Sequence, residues 1–422
     1  MLEIKKIRNN KDEIILDLSK RKVNNIKSII NNVIKQDDKR KKIKRVYDDL
    51  NSHYNQSSKE IGINIKKGNT SKIQNLKKKN SKIKEEIKKI TKELKTIEKE
   101  IFDVLTSIPN VPHKDVPLGN KAENNEIVFE SRGIKIENKL LPHWDLVKKH
   151  KIIDFELGNK ITGAGFPVYI NKGAKLQRAL INYFLDEAVK KGYLEIQPPI
   201  LINENSGFGT GQIPDKEGQM YKIENENLFL IPTAEVPITN VYQNTVIDIN
   251  DMPIKNVAYT PCFRKEAGSW GSHVRGLNRL HQFDKVEIVQ IVRPEKSYSI
   301  LDQMCNYVEE LLENLKLPYR KIKLCSGDLG FTAAKTYDFE VFSPGQKKWL
   351  ECSSVSNFET YQSNRANIKI KLENKSKVLA HTLNGSALAL PRILASIIEN
   401  NQLNNKIKVP KVLIPYTGFD EI

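Results

Sequence analysis

Apolar residues between Ile73 and Val104 recur in steps of three and four: Ile73, Leu76, Asn80, Ile83, Ile87, Ile90, Leu94, Ile97, Ile101, Val104. This is a heptad seam on one face of a helix, with Lys, Glu, Asn and Thr filling the positions between. Asn80 takes one seam position, where a polar residue fixes register at some cost in stability. A looser seam runs upstream through Ile43, Tyr47, Leu50, Tyr54, Ser57 and Ile61, and the turn residues Gly68 and Asn69 lie between the two. Two unequal seams joined by a short turn predict an antiparallel helical hairpin, roughly 40–50 Å long at 1.5 Å per residue.

The helical beat ends in SIPNVPHKDVPLGN (Ser107–Asn120), whose three prolines read as a linker. The pattern divides the chain into a helical domain over 1–108, a linker over 109–120 and a larger body over 121–422. In the body the period changes. Strand-like runs occur at Leu228–Ile231, Asn256–Arg264, Leu280–Val292, Thr336–Phe342 and Lys348–Ser353, with helical patterns at Lys175–Lys191, Lys296–Leu315 and Arg392–Asn400. Short links between successive strands predict an α+β domain, an antiparallel sheet flanked by helices. No GxGxxG or GxxxxGK[ST] fingerprint supports a dinucleotide or P-loop fold.

Charge alters the reading of the first part. The 422 residues carry a net +18, and residues 1–110 hold 29 Lys+Arg against 15 Asp+Glu, so most of the excess is there. A polyanionic partner for that region is expected, although the whole chain is rich in Lys, Asn and Ile. The amino terminus has no apolar stretch of a signal peptide, and no run reaches the roughly 18–20 apolar residues of a membrane span. Cys262, Cys305, Cys325 and Cys352 form no CxxC pair, and the setting expected is a reducing cytoplasm.

The chemistry concentrates between Phe263 and Glu287, in FRKEAGSWGSHVRGLNRLHQFDKVE. Strand alternation puts Thr260, Cys262, Arg264 and Glu266 on one face, and Arg279, His281, Phe283, Lys285 and Glu287 on one face of the return. If the two strands pair, cations, an aromatic plate and carboxylates share a surface, as an anionic, aromatic ligand such as a nucleotide requires. Ala267–Asn278, with Gly268, Gly271 and Gly276, reads as a mobile loop over the ligand. Pro261 argues against a fully paired central position. His273 and His281 read as hydrogen-bonded structural groups, Trp270 as a loop anchor or an RNA contact, and Cys262 as strand packing.

These residues resemble those of a family. TPCFRKEAG with RGLNRLHQFDKVEIVQIVRPE is similar to motif 2 of bacterial-type seryl-tRNA synthetase, a class II aminoacyl-tRNA synthetase. KKGYLEIQPP (Lys190–Pro199) resembles motif 1, whose proline ends a strand at the dimer interface, and HTLNGSALALPRILASIIENNQ (His381–Gln402) resembles motif 3. LIPTAEVPITN (Leu230–Asn240) is similar to the serine-binding loop, and the basic hairpin to the tRNA-binding arm.

The resemblance implies a six- to seven-stranded antiparallel sheet, bent ATP with Mg²⁺, and a cytoplasmic homodimer acting on L-serine, tRNA(Ser) and tRNA(Sec). Carried over, Arg264 holds the α-phosphate, Glu266 meets the adenine amino group, Phe283 and Arg392 sandwich the ring, and Arg279 lies near the terminal phosphates. Glu351 and Ser354 bind magnesium and phosphate, and Lys265, Cys352 and Ser353 complete the ATP site. Thr233, Ala234, Glu235, Glu287, Asn384 and Ser386 line the serine pocket, which Arg264 borders, and Arg264 and Arg392 are the catalytic pair. The family often has Gly where this chain has Pro391, a residue well tolerated in a first helical turn.

Overall fold

The computed structural model describes residues 1–132, 140–266 and 275–422, so the proposed loop anchor Trp270 and the structural His273 lie outside the described residues, as do Gly268 and Gly271. The chain forms two compact units, Met1–Pro109 and Asn110–Ile422.

The first unit is helical: α1 (Ile4–Asn9), α2 (Lys11–Ser19), α3 (Ile26–Lys66) and α4 (Thr70–Ser107). Helices α3 and α4 form the hairpin, turning at Gly68, whose φ of 71° is one that a residue with a Cβ rarely adopts. Ile43, Ile83, Leu94, Ile97 and Ile101 are buried along the seam, and Asn80 donates from Nδ2 to Ser58 Oγ at 3.1 Å on the opposite helix. At 41 and 38 residues the helices are about 60 Å long, longer than the seam suggested. The first turns of α3 escaped the pattern because Asp37 takes an inward position. Its carboxylate, fully buried, meets Arg8 at 3.0 Å, Arg40 at 2.8 Å and Lys41 at 3.1 Å.

Among the described residues, the second unit is built on an eight-stranded sheet. In chain order its strands are β1 (Glu126–Glu130), β2 (Leu194–Glu195), β3 (Ile254–Phe263), β4 (Gln282–Val292), β5 (Tyr319–Lys323), β6 (Lys335–Ser343), β7 (Lys348–Asn357) and β8 (His381–Ala389). Their spatial order is β1-β5-β6-β7-β8-β4-β3-β2. All pairs are antiparallel except β2 with β3, so the sheet is one strand larger than expected and has one parallel edge. The paired strand expected around Pro261 is continuous, with Pro261 opposite Asp284. Strand β2 pairs only with Asn256 and Val257, which leaves Pro261 at an edge, where its missing N–H costs nothing.

Helices α5 (His143–His150), α6 (Lys172–Lys190), α7 (Glu235–Asn240), α8 (Ser297–Asn314) and α9 (Leu390–Asn400) pack around the sheet. Strand β4 shows how one sequence serves two faces. Val286 and Ile288 enter a continuous apolar core with Leu180 and Phe184 of α6, Leu301 and Val308 of α8 and Leu394 of α9. Each such fully buried aliphatic side chain contributes about 1.5–3 kcal/mol. The alternate residues Phe283, Lys285 and Glu287 line a cavity. Among the described residues no helix is long and apolar enough to cross a membrane.

Candidate functional site

The cavity, of about 370 Å³, is lined by β4, β6, β7 and β8 and by the chain that follows β3. Two ends can be told apart by their chemistry.

At one end two buried carboxylates converge. Glu235 opens α7 and Glu287 comes from β4. Asn384 Nδ2 bridges them, at 2.7 Å from Glu235 Oε2 and 3.4 Å from Glu287 Oε1. Thr233 Oγ1 and Ser386 Oγ donate to Glu287 Oε2 at 3.2 and 3.5 Å, and Lys285 Nζ pairs with the same oxygen at 2.6 Å. Gln362 Nε2 donates to Glu235 Oε1 at 2.6 Å and is itself held by Thr382 Oγ1 at 2.7 Å. Burial, and then the neighbouring Glu287, push the Glu235 carboxyl up to about 7, against the hydrogen bond from Gln362 and the charges of Lys285 and Arg264. Among the described residues the two carboxylates therefore share one close ammonium, and the pocket suits a further small cation with hydrogen-bonding side groups.

The other end suits an anion bearing a flat ring. The Arg264 guanidinium lies over the Phe283 ring, 5.2 Å from its centroid, with Nε donating to Pro232 O at 3.3 Å. Arg279 Nη1 meets Glu266 Oε2 at 2.9 Å. Glu266 has φ 47°, a left-handed conformation uncommon for residues with a side chain. Arg392, in the first turn of α9 after Pro391, donates from Nη1 to Glu351 O at 2.7 Å and from Nε to Asn278 O at 3.2 Å. The cation observed over Phe283 is thus Arg264, and Arg392 is tied to two backbone carbonyls.

Glu351 and Ser354 also line the cavity. Ser354 stands opposite Asp338 in the sheet and hydrogen-bonds to it. Burial, then the charge of Glu351, hold the Asp338 carboxyl well above its ordinary range, and its Oδ1 is buried with no hydrogen-bond partner among the described residues. These hard oxygen donors and an under-compensated carboxylate fit a magnesium ion.

The cavity thus gathers Thr233, Glu235, Arg264, Glu266, Arg279 and Phe283 with Glu287, Glu351, Cys352, Ser353, Ser354, Asn384, Ser386 and Arg392. It does not include Lys265 or Ala234. Lys265 follows Arg264 on the opposite side of the chain, with its Nζ 5.8 Å from the Tyr221 ring centroid, and Ala234 is buried among Ile238, Ala258 and Val289. Cys352 and Ser353 spend their side-chain donors inside the protein, on Phe339 O at 3.3 Å and Ser386 O at 2.6 Å. His281 is a structural group, with Nδ1 3.0 Å from Tyr221 OH and its ring stacked on Phe166. The Cys262 thiol is fully buried, and burial raises its pKa, which suits packing and not reactivity. The sequence puts Lys285 on the same strand face as Phe283 and Glu287 but gives it no role, and it does not single out Gln362. Alternation along β4 does place Lys285 in the cavity, whereas nothing near Gln362 marks it.

Comparison with known proteins bears on both units. The family profile described as the seryl-tRNA synthetase N-terminal domain matches residues 1–112. That of the class II tRNA synthetase core domain (G, H, P, S and T) matches residues 220–401. The serine–tRNA ligase of Salinibacter ruber is 45% identical, with 93% of each chain covered. That of Chlorobium phaeovibrioides is 43% identical over 100% of this chain and 99% of its own. Among solved structures, seryl-tRNA synthetase from Pyrococcus horikoshii complexed with ATP superposes with a TM-score of 0.90 at 34% identity, covering 100% of this chain and 99% of that one. The cytoplasmic enzyme of Naegleria fowleri in complex with AMP gives 0.87 at 30% identity, covering 100% and 98%.

Proposed function

The chain belongs to the seryl-tRNA synthetase family and is a serine–tRNA ligase; from that premise we propose how its cavity performs the two steps. Serine places its ammonium between Glu235 and Glu287, with Asn384, Thr233 and Ser386 around it. ATP lies bent, its adenine on Phe283 with Arg392 on the opposite face, its amino group at Glu266, its α-phosphate on Arg264 and its terminal phosphates towards Arg279. The observation that carries this reading is that the aromatic plate and a buried carboxylate come from one face of one strand. Phe283 and Glu287 are four residues apart, about 13 Å along an extended chain, a span comparable to an aminoacyl-adenylate from ring to amine.

The serine carboxylate is ionised at neutral pH and attacks the α-phosphorus directly. Its new P–O bond forms as the bond to pyrophosphate breaks, and no protein base is needed. What the side chains supply is alignment and positive charge, by Arg264 and Arg392, where charge accumulates. Glu351 and Ser354 would hold magnesium, which supplies further charge neutralisation at the phosphates. In the second step a ribose hydroxyl at the tRNA 3′ end attacks the carbonyl carbon and AMP departs. A site that hydrogen-bonds the substrate hydroxyl, at Ser386 or beside it, rejects alanine by about 10⁴–10⁵, since its polar groups would otherwise stay unpaired.

The exposed lysines of α3 and α4 meet the phosphates of tRNA(Ser), and of tRNA(Sec) by the same means. The enzyme works as a homodimer in the cytoplasm, through the edge at β2, where Leu194 is exposed. A crystal structure with a non-hydrolysable seryl-adenylate analogue tests the site. Adenine on Phe283 and the amine between Glu235 and Glu287 are expected, and a ligand bound in the reverse sense would overturn the assignment.

A further inference from the structure

We propose that His143 and Glu399 are positioning residues for ATP. Together they lock the returning end of motif 2, Leu277–Arg279, to the helix that carries Arg392. The proposal rests on the reading of Arg279 and Arg392 as ATP-binding groups, and neither His143 nor Glu399 lines the cavity itself.

Both side chains are fully buried. Glu399 lies seven residues after Arg392 in α9, two turns further along the same face. Its carboxylate collects donors from two parts of the chain, at His143 and at 343–346. Oε1 accepts from the backbone N–H of His143 at 2.9 Å, from the ring Nδ1 of His143 at 2.8 Å and from Gln346 Nε2 at 3.2 Å. Oε2 accepts from Gly345 N–H at 3.1 Å and from the Ser343 hydroxyl. Burial raises the Glu399 pKa, but the bonds from His143 and Ser343 outweigh it and hold the carboxyl below its ordinary value. The carboxylate is therefore charged and satisfied.

The other nitrogen of the ring defines the purpose of the pair. His143 Nε2 accepts the backbone N–H of Leu277 at 2.9 Å. With Nδ1 donating to a carboxylate and Nε2 accepting an amide, the imidazole is the neutral Nδ1–H tautomer, since a second ring proton would face the Leu277 N–H. The close approach is built in at Gly276, which has φ 69° and whose Cβ, had it one, would lie 2.2 Å from His143 Nε2. Next to it the Arg275 guanidinium sits over the Trp144 ring, 4.8 Å from the centroid. From Leu277 the circuit closes through Asn278. Its Nδ2 donates to Gln346 Oε1 at 2.9 Å, Gln346 returns to Glu399, and its carbonyl receives Arg392 Nε at 3.2 Å. Motif 2 and motif 3 are thus joined twice, once directly at Arg392 and once through the buried pair.

The test separates the two nitrogens in the full-length enzyme, using serine-dependent ATP–pyrophosphate exchange and thermal melting. His143→Asn keeps a donor near the Nδ1 position and removes the acceptor for Leu277. His143→Gln keeps an acceptor near Nε2 and removes the donor to Glu399. Stranding the buried Leu277 amide raises the ATP KM about tenfold in His143→Asn, while the serine KM stays within about twofold. His143→Gln melts lower than wild type yet keeps an ATP KM within about threefold. Should His143→Asn not fold, Gly276→Ala, which displaces the ring, carries the same expectation for the ATP KM. Equal ATP KM values in the two His143 variants, or a serine KM that rises with that of ATP, overturn the proposal. A wild-type enzyme without serine-dependent exchange overturns instead the reading on which it rests.

Discussion

Glu235 is the residue whose ionisation the account makes measurable. Its carboxyl is buried beside Glu287, and one ammonium, Lys285, lies within pairing distance of the couple. Burial first, and the Glu287 charge second, raise it from 4.5 to about 7. A folded-state pKa above the unfolded one means that the folded protein holds the proton more tightly. Stability without serine therefore falls as pH rises from the unfolded value to the folded one, by a ceiling of about 3 kcal/mol at about 1.4 kcal/mol per pKa unit. Serine binding works in the opposite direction, since its ammonium pairs with the ionised carboxylate. The ionised fraction rises from about one-tenth at pH 6 to about nine-tenths at pH 8, so the serine KM falls about tenfold across that range. Calorimetry at pH 7 in two buffers of different ionisation enthalpy should show about half a proton released per serine bound. Glu235→Gln should raise the serine KM and flatten its pH profile. A serine KM that is flat between pH 6 and 8 in the wild type, with no proton release, refutes the reasoning.

Three further outcomes follow from the geometry. Phe283→Ala removes the plate on which adenine stacks and should raise the ATP KM about tenfold, at about 1–3 kcal/mol per stacked base, with the serine KM unchanged in the exchange assay. Raising salt from about 50 to about 200 mM should weaken tRNA charging through its tRNA KM by tenfold or more, while serine-dependent exchange holds steady, because the lysines of α3 and α4 act by releasing phosphate counterions. Asp37→Ala removes the carboxylate that Arg40 and Lys41 share with Arg8, which keeps its second bond to Asp38, and should lower the melting temperature of the N-terminal unit, at a cost of about 1–3 kcal/mol, without changing exchange. Although burial raises the Asp37 pKa, hydrogen bonds from Arg40 and Lys41 bring it below its usual value. Its contribution is thus present above the unfolded pKa and disappears as pH falls through the lowered one.

Periodicity made the hairpin readable because it buries one face and leaves the other wet, and the β3–β4 pair readable because apolar core residues alternate along β4 with the polar and aromatic groups of the cavity. The faces assigned to Cys262 and Phe283 do meet, directly opposite in the ladder. Where one-sided burial is absent, the pattern was silent. Strand β1 is exposed at all five positions. Helix α3 differs: Ile26, Ile30 and Val33 continue its buried face, but the charged Asp37 interrupts the apolar run between them and Ile43. In the cavity, functional residues were legible where they alternate along a strand or stand in a motif. Lys265 and Ala234 adjoin site residues in the sequence but point elsewhere: Lys265 leaves the chain on the side opposite Arg264, and Ala234, at the helical start of α7, packs into a buried apolar cluster. His143 and Glu399 were illegible for another reason. They lie 256 positions apart, nothing in the neighbouring sequence pairs either with the other, and only the folded chain brings them together.

The central claim is that this cavity activates serine through Arg264, and amino-acid-dependent ATP–pyrophosphate exchange tests it most directly. With serine, threonine, alanine and glycine offered separately to the purified protein, exchange is predicted with serine alone and is lost in Arg264→Ala. Absence of exchange at saturating serine and Mg²⁺ in the folded wild type, or equal exchange in Arg264→Ala, would contradict it.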